Sequence, residues 1–374
     1  MKIALVVHDF DRRVGHGRYA VELALRLAKE HEIVVYANRF DIGTEPNLKF
    51  VTVPAWRHTT LSAVLTFIRS AEKLIRQQRH DIIHAQGLTC WGTDVITAHI
   101  CNAARYQCSP PSRFRSRLFP LLVLPLERRF YQQARARHLI AISRQVATEI
   151  ATHYDWQRPT TLIYHGTDTE QFASPTAAAR EEMRRYYGLE KSTWTWLFVG
   201  EAVKGLKQAI EQLPAFPEAT LLVISRSRKE FFQDLARRLG VETRLLFWGG
   251  EDRISRAYQA ADVFVFPSGY DAFGLVVAEA MATELPVIMG QNIGIAEWIT
   301  PRQNGLLCDP REPASLRAQL EWLQADPLRA KRLGTAGREK VLQHTWDACA
   351  TQTIEVYEQV LREKENFRGK ISRV

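Results

Sequence analysis

Short apolar runs alternate with longer amphipathic stretches along almost the whole chain. The first run, residues 3–7, reads as a β-strand. After a polar loop, residues 19–29 carry Val21, Leu23, Ala24, Leu27 and Ala28 at helical spacing, which predicts a helix with one apolar face. The pattern repeats with strands at 33–37 and 49–53, a long amphipathic helix over 61–78, and further strands at 81–87, 95–99 and 138–143. A helix then runs to about residue 153. In the second half, strands are predicted at 195–199, 219–224, 244–248, 263–266 and 286–289. Helices are predicted at 229–239, from 274 onward, and at 313–324, 327–343 and 346–365. Alternation of this kind favours parallel sheets covered on both faces, because an apolar run too short for a helix must be buried on both of its sides.

The stretch of greatest chemical interest follows the strand at 263–266. Pro267 closes the run, Ser268-Gly269-Tyr270-Asp271 makes a polar turn, and Gly274 opens a helix. Turns at the carboxyl ends of parallel strands are where open α/β sheets bind ligands. A helix amino terminus there lets the N–H groups of Gly274, Leu275 and Val276 approach an anion such as a phosphate. Asp271 and Glu279 lie a little over two helical turns apart. They can line one edge of a cleft, Glu279 suiting the paired hydroxyls of a ribose, although the same spacing also suits a helix cap and a surface acid.

The run YDAFGLVVAEAMATELPVI, with ADVFVFPS before it and IGIAEWI after it, resembles the retaining glycosyltransferases of family 4. The family pattern Glu-x-Phe-Gly-x-x-x-x-Glu is met by Asp271, Phe273, Gly274 and Glu279, the first acid being one methylene shorter. The resemblance implies the α/β fold called GT-B: two Rossmann-like parallel-sheet domains facing across a cleft, with a C-terminal helix crossing back to the first. It implies an acceptor-binding domain over 1–168 with 350–374 returning to it, and a nucleotide-sugar domain over 169–349. It further implies that Asp271 contacts the donor sugar and that Glu279 binds the ribose.

Other segments are read the same way. Gly15 to Ala20 match G-x-G-x-x-[GA], but seven residues, His8 to Val14, separate them from the strand, so a dinucleotide site of the usual kind is not expected. The segment GHGRYAVELA instead resembles the family's glycine-rich loop, in which Gly15 and Gly17 let the backbone approach the donor phosphates. HDIIHAQG resembles Asp-x-x-His-x-His with Gln86 in place of the last His. His99 ends the next strand, where the family His faces the donor sugar; an isolated His is equally a structural residue. TLIYHGTDTEQF fits the crossing into the second domain, with His165 standing for Asn. In GEAVKG, Lys204 and Gly205 fit a diphosphate-gripping loop, while Glu201 replaces an Arg. Lys207, or an Arg from the Ser225–Arg228 segment, is a candidate to compensate. Gly294 and Glu297 resemble a loop near the sugar. The catalytic set is therefore His99, Lys204 and Asp271, and the donor-binding set Gly15, Gly17, Phe273, Gly274, Leu275 and Glu279.

Composition narrows the setting. With 374 residues the chain exceeds the roughly 250–300 at which single cores stop growing. No apolar run reaches the roughly 18 residues of a membrane span, and the amino terminus reads as a strand rather than a signal peptide. Five Cys without a C-x-x-C pair suit reduced thiols in a cytoplasmic protein, and no metal or other cofactor is expected beyond the nucleotide sugar as co-substrate. The net charge of +9 is concentrated between Arg105 and Arg144, where nine Arg meet the single acid Glu127 among many apolar residues. Such a segment suits the anionic surface of the inner membrane, as a peripheral contact on its cytoplasmic face; an ordinary solvated helix is the alternative. No nucleic-acid signature accompanies it.

The resemblance thus implies transfer of a hexose, glucose from a UDP-linked donor being favoured, to a glycan or glycolipid acceptor such as the lipopolysaccharide core, with retention of configuration. Two other functions compete: a nucleotide-sugar 2-epimerase of the same architecture, and a catalytically silent scaffold at the membrane. The closing basic segment FRGKISRV is expected to be loose.

Overall fold

The computed structural model describes residues 1–13, 15–41, 46–108, 114–250 and 254–371, and their side chains other than those of 60, 114–119 and 367–371. The chain forms two compact units, Met1–Gly166 with Trp346–Val374, and Thr167–Thr345. Each is built on a parallel sheet flanked by helices, as the resemblance implies.

In the first unit the strand order is Leu48–Thr52, Glu32–Ala37, Lys2–Val6, Ile82–Gln86, Val95–Ala98, His138–Ala141 and Thr160–Leu162. In the second it is Leu245–Trp248, Ala219–Ile224, Trp194–Val199, Val263–Phe266, Val287–Gly290 and Leu306–Cys308. The central strands are apolar throughout because helices cover both faces: Trp196, Leu197 and Phe198 are fully buried, as are Val263, Phe264 and Val265. In each sheet the chain winds outward to one edge from a central strand and then starts again on that strand's other side. The reversal falls between Lys2–Val6 and Ile82–Gln86 in the first unit, and between Trp194–Val199 and Val263–Phe266 in the second. Loops leaving two adjacent strands in opposite directions open a crevice at such a point.

The helix after the first strand spans Gly15–Leu27, beginning four residues before the start that the apolar spacing predicts. Gly15 and Gly17 therefore lie in its first turn and not in a loop. A Cβ on Gly17 would come within 2.5 Å of the Asp11 carbonyl and 2.6 Å of that of Asp9, so this glycine lets the incoming chain cross the helix closely. The incoming segment also forms a small parallel ribbon, Asp9–Phe10 with Arg39–Phe40, that the hydropathy pattern does not foreshadow.

The last helix runs Trp346–Ile371, so the backbone of FRGKISRV is helical through Ile371 rather than loose, and 372–374 lie outside the described residues. Extending a formed helix costs little, since each added residue gains a hydrogen bond. This helix belongs to the first unit: Trp346 packs on Tyr19 with ring centroids 6.1 Å apart, and Asp347 pairs with Arg26 at 3.1 Å.

The basic segment forms the helix Phe114–Gln133. Arg113 and the side chains of Phe114, Arg115, Arg117, Leu118 and Phe119 lie outside the described residues. Of the rest, Leu121 and Leu122 are 69% and 55% exposed, whereas Phe130 and Tyr131 are buried. Glu127 is buried as well and accepts from Tyr154 Oη at 2.5 Å and Asn102 Nδ2 at 3.2 Å. Burial pushes its carboxyl up from 4.5 to about 7, against the opposing pull of those two donors. A raised folded-state value stabilises fully below the unfolded value and the benefit is lost as pH rises through about 7. Glu127→Gln is thus expected to lose that pH dependence, gaining on the order of 3 kcal/mol on the parent between acid and pH 8. Denaturant melts of both proteins at pH 5 and pH 8 check this, and parallel changes in the two would refute it.

Candidate functional site

The second unit places Lys204 and Asp271 at its switch point. Lys204 follows the Trp194–Val199 strand, and Asp271 follows the adjacent Val263–Phe266 strand. What brings them together is Gly205. Its φ of +106° and its contact with Pro267, whose carbonyl would lie 2.5 Å from an added Cβ, press the Lys204 loop onto the turn that carries Asp271. The Lys204 ammonium then reaches Asp271 Oδ2 at 2.8 Å, with side chains 36% and 16% exposed. The other carboxylate oxygen accepts from Phe273 N at 3.1 Å, which fixes the acid's orientation.

The helix Leu275–Ala282 begins beside this pair. Gly274, at φ +99°, precedes it without a side-chain cap, and Leu275 and Val276 are only partly buried, so the amino terminus is available to an anion. Phe273 is buried against Trp298, ring centroids 5.4 Å apart. The Gly294–Trp298 turn is tied to the same loop: Gly294 N donates to the Asp271 carbonyl at 2.9 Å and Ile295 N to that of Phe273 at 2.7 Å, while Glu297 is exposed. Glu279 is buried, and Tyr258 Oη donates to its Oε2 at 2.8 Å. Tyr258 has no signal in the sequence, standing 21 residues from its partner.

Glu201 is exposed, and Lys207 pairs with Glu211 on its own helix at 3.5 Å. Arg226 is exposed and lies over Gly250, its Nε 2.7 Å from where a Cβ would stand. Ser227 Oγ accepts from Ala202 N at 3.0 Å, and Ser225 Oγ from Ser227 N at 3.1 Å, knitting together the loops that follow the first two strands of this unit.

The first unit gathers a different chemistry. His84 and Gln86 lie on one face of their strand, and Thr97 and His99 extend the same layer on the next one. His99 Nε2 lies 2.8 Å from Gln86 Oε1. Around its ring stand Tyr19 at 5.0 Å, His165 at 5.8 Å and His16 at 6.2 Å between centroids. Desolvation, then the neighbouring His165, His16 and His84, hold the His99 imidazole well below its ordinary range. Burial alone lowers His84 to about 3. His84 and His99 are therefore uncharged at neutral pH. Gly15 lies exposed at the start of the helix whose His16 and Tyr19 reach this cluster; Gly17 is buried under the incoming chain. Thus Lys204, Asp271, Phe273, Gly274, Leu275 and Glu279 share one locale in the second unit, and Gly15, Gly17 and His99 another in the first. Among the described residues no group of three or more His, Cys, Asp or Glu is arranged to hold a metal ion, and no helix is long and apolar enough to cross a membrane.

Residues 14–171 match the family described as Glycosyltransferase Family 4, and residues 179–340 match the glycosyl transferases group 1. The chain belongs to the family 4 glycosyltransferases of GT-B type and is an enzyme of the transferase class. It is 26% identical to an uncharacterized glycosyltransferase of Methanocaldococcus jannaschii over 96% of this chain and 98% of that one. It is 31% identical to a D-inositol 3-phosphate glycosyltransferase of Xylanimonas cellulosilytica over 60% of this chain, and that match spans only 58% of the relative. Among solved structures, WaaG, a glycosyltransferase involved in lipopolysaccharide biosynthesis, superposes with a TM-score of 0.83 at 19% identity, covering 95% of this chain and 99% of that one. The sucrose-phosphate synthase of Thermosynechococcus elongatus gives 0.83 at 23%, covering 97% and 100%. Anabaena HepE in complex with UDP-glucose gives 0.74 at 17%, covering 96% and 100%.

Proposed function

We propose that the chain transfers a hexose, glucose first among them, from a UDP-linked donor to a hydroxyl of a membrane-displayed glycan such as the lipopolysaccharide core, with retention at the anomeric carbon. The observation that carries this reading is the Lys204–Asp271 pair at the switch point, 2.8 Å long and beside an uncapped helix amino terminus. A compact ammonium can exchange a paired carboxylate for the donor diphosphate, and the helix terminus adds preorganised positive potential where leaving-group charge develops. Asp271 then turns to the sugar hydroxyls, and Glu279, held by Tyr258, accepts from the ribose. The bond from the anomeric carbon to the phosphate oxygen breaks, a bond to the acceptor oxygen forms on the same face, and the acceptor proton passes to the leaving phosphate. In this reading Lys204 and the helix terminus meet the diphosphate charge without a metal.

The acceptor side rests on the first unit. Leu121 and Leu122 are exposed on the helix that also carries exposed Arg128 and Arg129, while the one acid of the segment, Glu127, is buried. That combination suits a peripheral contact with anionic lipid at the cytoplasmic face of the inner membrane. The likeness to WaaG and the UDP-glucose complex of HepE support the same reading. The 31% identical relative that acts on inositol 3-phosphate favours a second class, a soluble phosphorylated acceptor.

A thermal-shift screen with UDP, GDP and ADP and their glucose, galactose, N-acetylglucosamine and mannose forms tests the donor. UDP-glucose at about 100 times its Kd is expected to add about 2.7 kcal/mol of stability. No shift with UDP-glucose would sink the proposed donor. Flotation with phosphatidylglycerol vesicles tests the acceptor side. Binding that falls in the Leu121→Glu, Leu122→Glu variant supports a membrane-displayed glycan, and no binding by the parent chain overturns it in favour of a soluble acceptor.

A further inference from the structure

The motif that HDIIHAQG resembles has a His where Gln86 stands, and here Gln86 belongs to a buried chain of polar groups. Tyr357 Oη is 2.6 Å from His84 Nδ1, and Thr97 Oγ1 is 2.7 Å from His84 Nε2. Both nitrogens of His84 are thus engaged by hydroxyls. The Gln86 amide nitrogen lies over the same ring, 3.3 Å from Nε2, while its oxygen faces His99 Nε2 at 2.8 Å. An amide oxygen can only accept, so the nitrogen it faces must carry a proton. His99 Nδ1 is buried and has no hydrogen-bond partner. The residues that hold this arrangement, His84, Gln86, Thr97 and Tyr357, are all buried.

We infer that Gln86, backed by His84 and Tyr357 of the closing helix, is a positioning residue that locks His99 as the neutral Nε2–H tautomer. A His at position 86 would impose no such choice, because either of its nitrogens can donate or accept. The titratable groups that face His99 are His16 and Tyr19 from the Gly15–Leu27 helix, His84 from the adjacent strand, and His165 beyond the strand Thr160–Leu162. Among the described residues none of these neighbours is a carboxylate, so it is Gln86 that selects the protonated nitrogen and no described neighbour favours a second proton. The lock fixes which ring edge carries a lone pair, and so whether His99 accepts from or donates to a sugar hydroxyl; this last step rests on the placement of His99 in the donor site proposed above.

The test is the pair of imidazole nitrogen-15 shifts of His99, assigned by difference against His99→Gln. The parent chain is expected to show the Nε2–H pattern unchanged from pH 5.5 to 8. Gln86→Glu keeps the acceptor and adds charge, so the same tautomer persists and the imidazole now titrates within that range. Gln86→Leu removes the acceptor, and the Nδ1–H form should appear, with kcat/KM for the donor falling about tenfold, as expected for one lost hydrogen bond. Gln86→Glu should recover that loss above its imidazole titration. An Nδ1–H or charged His99 in the parent, or a Gln86→Leu spectrum identical to it, overturns the lock whatever turnover does. A shifted tautomer with unaltered kcat/KM leaves the lock standing and removes His99 from the donor site.

Discussion

Lys204→Ala is expected to lower kcat/KM for the nucleotide-sugar donor by a factor of roughly 100 to 1,000, the cost of deleting one preorganised charge from a site where a leaving group turns anionic. The residue is 36% exposed, so thermal stability should hardly move. Its partner Asp271 would keep its hydrogen bond from Phe273 N at 3.1 Å and so stay oriented. Lys204→Arg should recover only part of the loss, because a planar guanidinium needs more room and a different approach to phosphate than an ammonium. Steady-state kinetics with the donor found in the thermal screen checks the expectation, and a kcat/KM within about threefold of the parent would remove Lys204 from the chemistry.

Gly205→Ala is expected to be more damaging to the fold than any substitution of Lys204. The new methyl would enter backbone at φ +106° and stand 2.5 Å from the Pro267 carbonyl, so the Lys204 loop must lift off the Asp271 turn. A stability loss on the order of 3 kcal/mol follows from strain and overlap together, with donor turnover falling alongside it. Gly240→Ala is the control: φ is +66° there but nothing lies within 4 Å of an added Cβ, so only the backbone strain, about 1 kcal/mol, is felt. Equal midpoints for the two variants in urea would show that contact with Pro267 is not what seats Lys204.

The sheets of both units were legible in the sequence because central parallel strands are apolar runs bounded by polar turns, as at 3–7, 195–199 and 263–266. The Asp271–Glu279 segment was legible because its geometry is local: strand, turn, glycine and helix follow one another in the chain. What escaped is long-range. Tyr258 reaches Glu279, Tyr357 reaches His84 across 273 residues, and Gly205 meets Pro267, none at a spacing that periodicity can register. Gly17 has a role that the sequence could not show: it admits the crossing backbone of Asp9 and Asp11, and that contact carries no signature in the G-x-G spacing. The basic segment read as Arg among apolar residues, and nothing in that pattern says that its one acid goes inside, where Tyr154 and Asn102 hold it.

The first unit is assembled from both ends of the described chain, with Trp346–Val374 packed into it and Tyr357 buried at its centre. During synthesis the ribosome therefore releases the whole of Thr167–Thr345 before the first unit has its closing helix. The second sheet can mature on its own schedule, while the first must wait, with the His84 face uncovered, for a segment made after that sheet. Released chains truncated before residue 346 should accordingly hold a protease-resistant second unit and a first unit still in need of chaperone shelter.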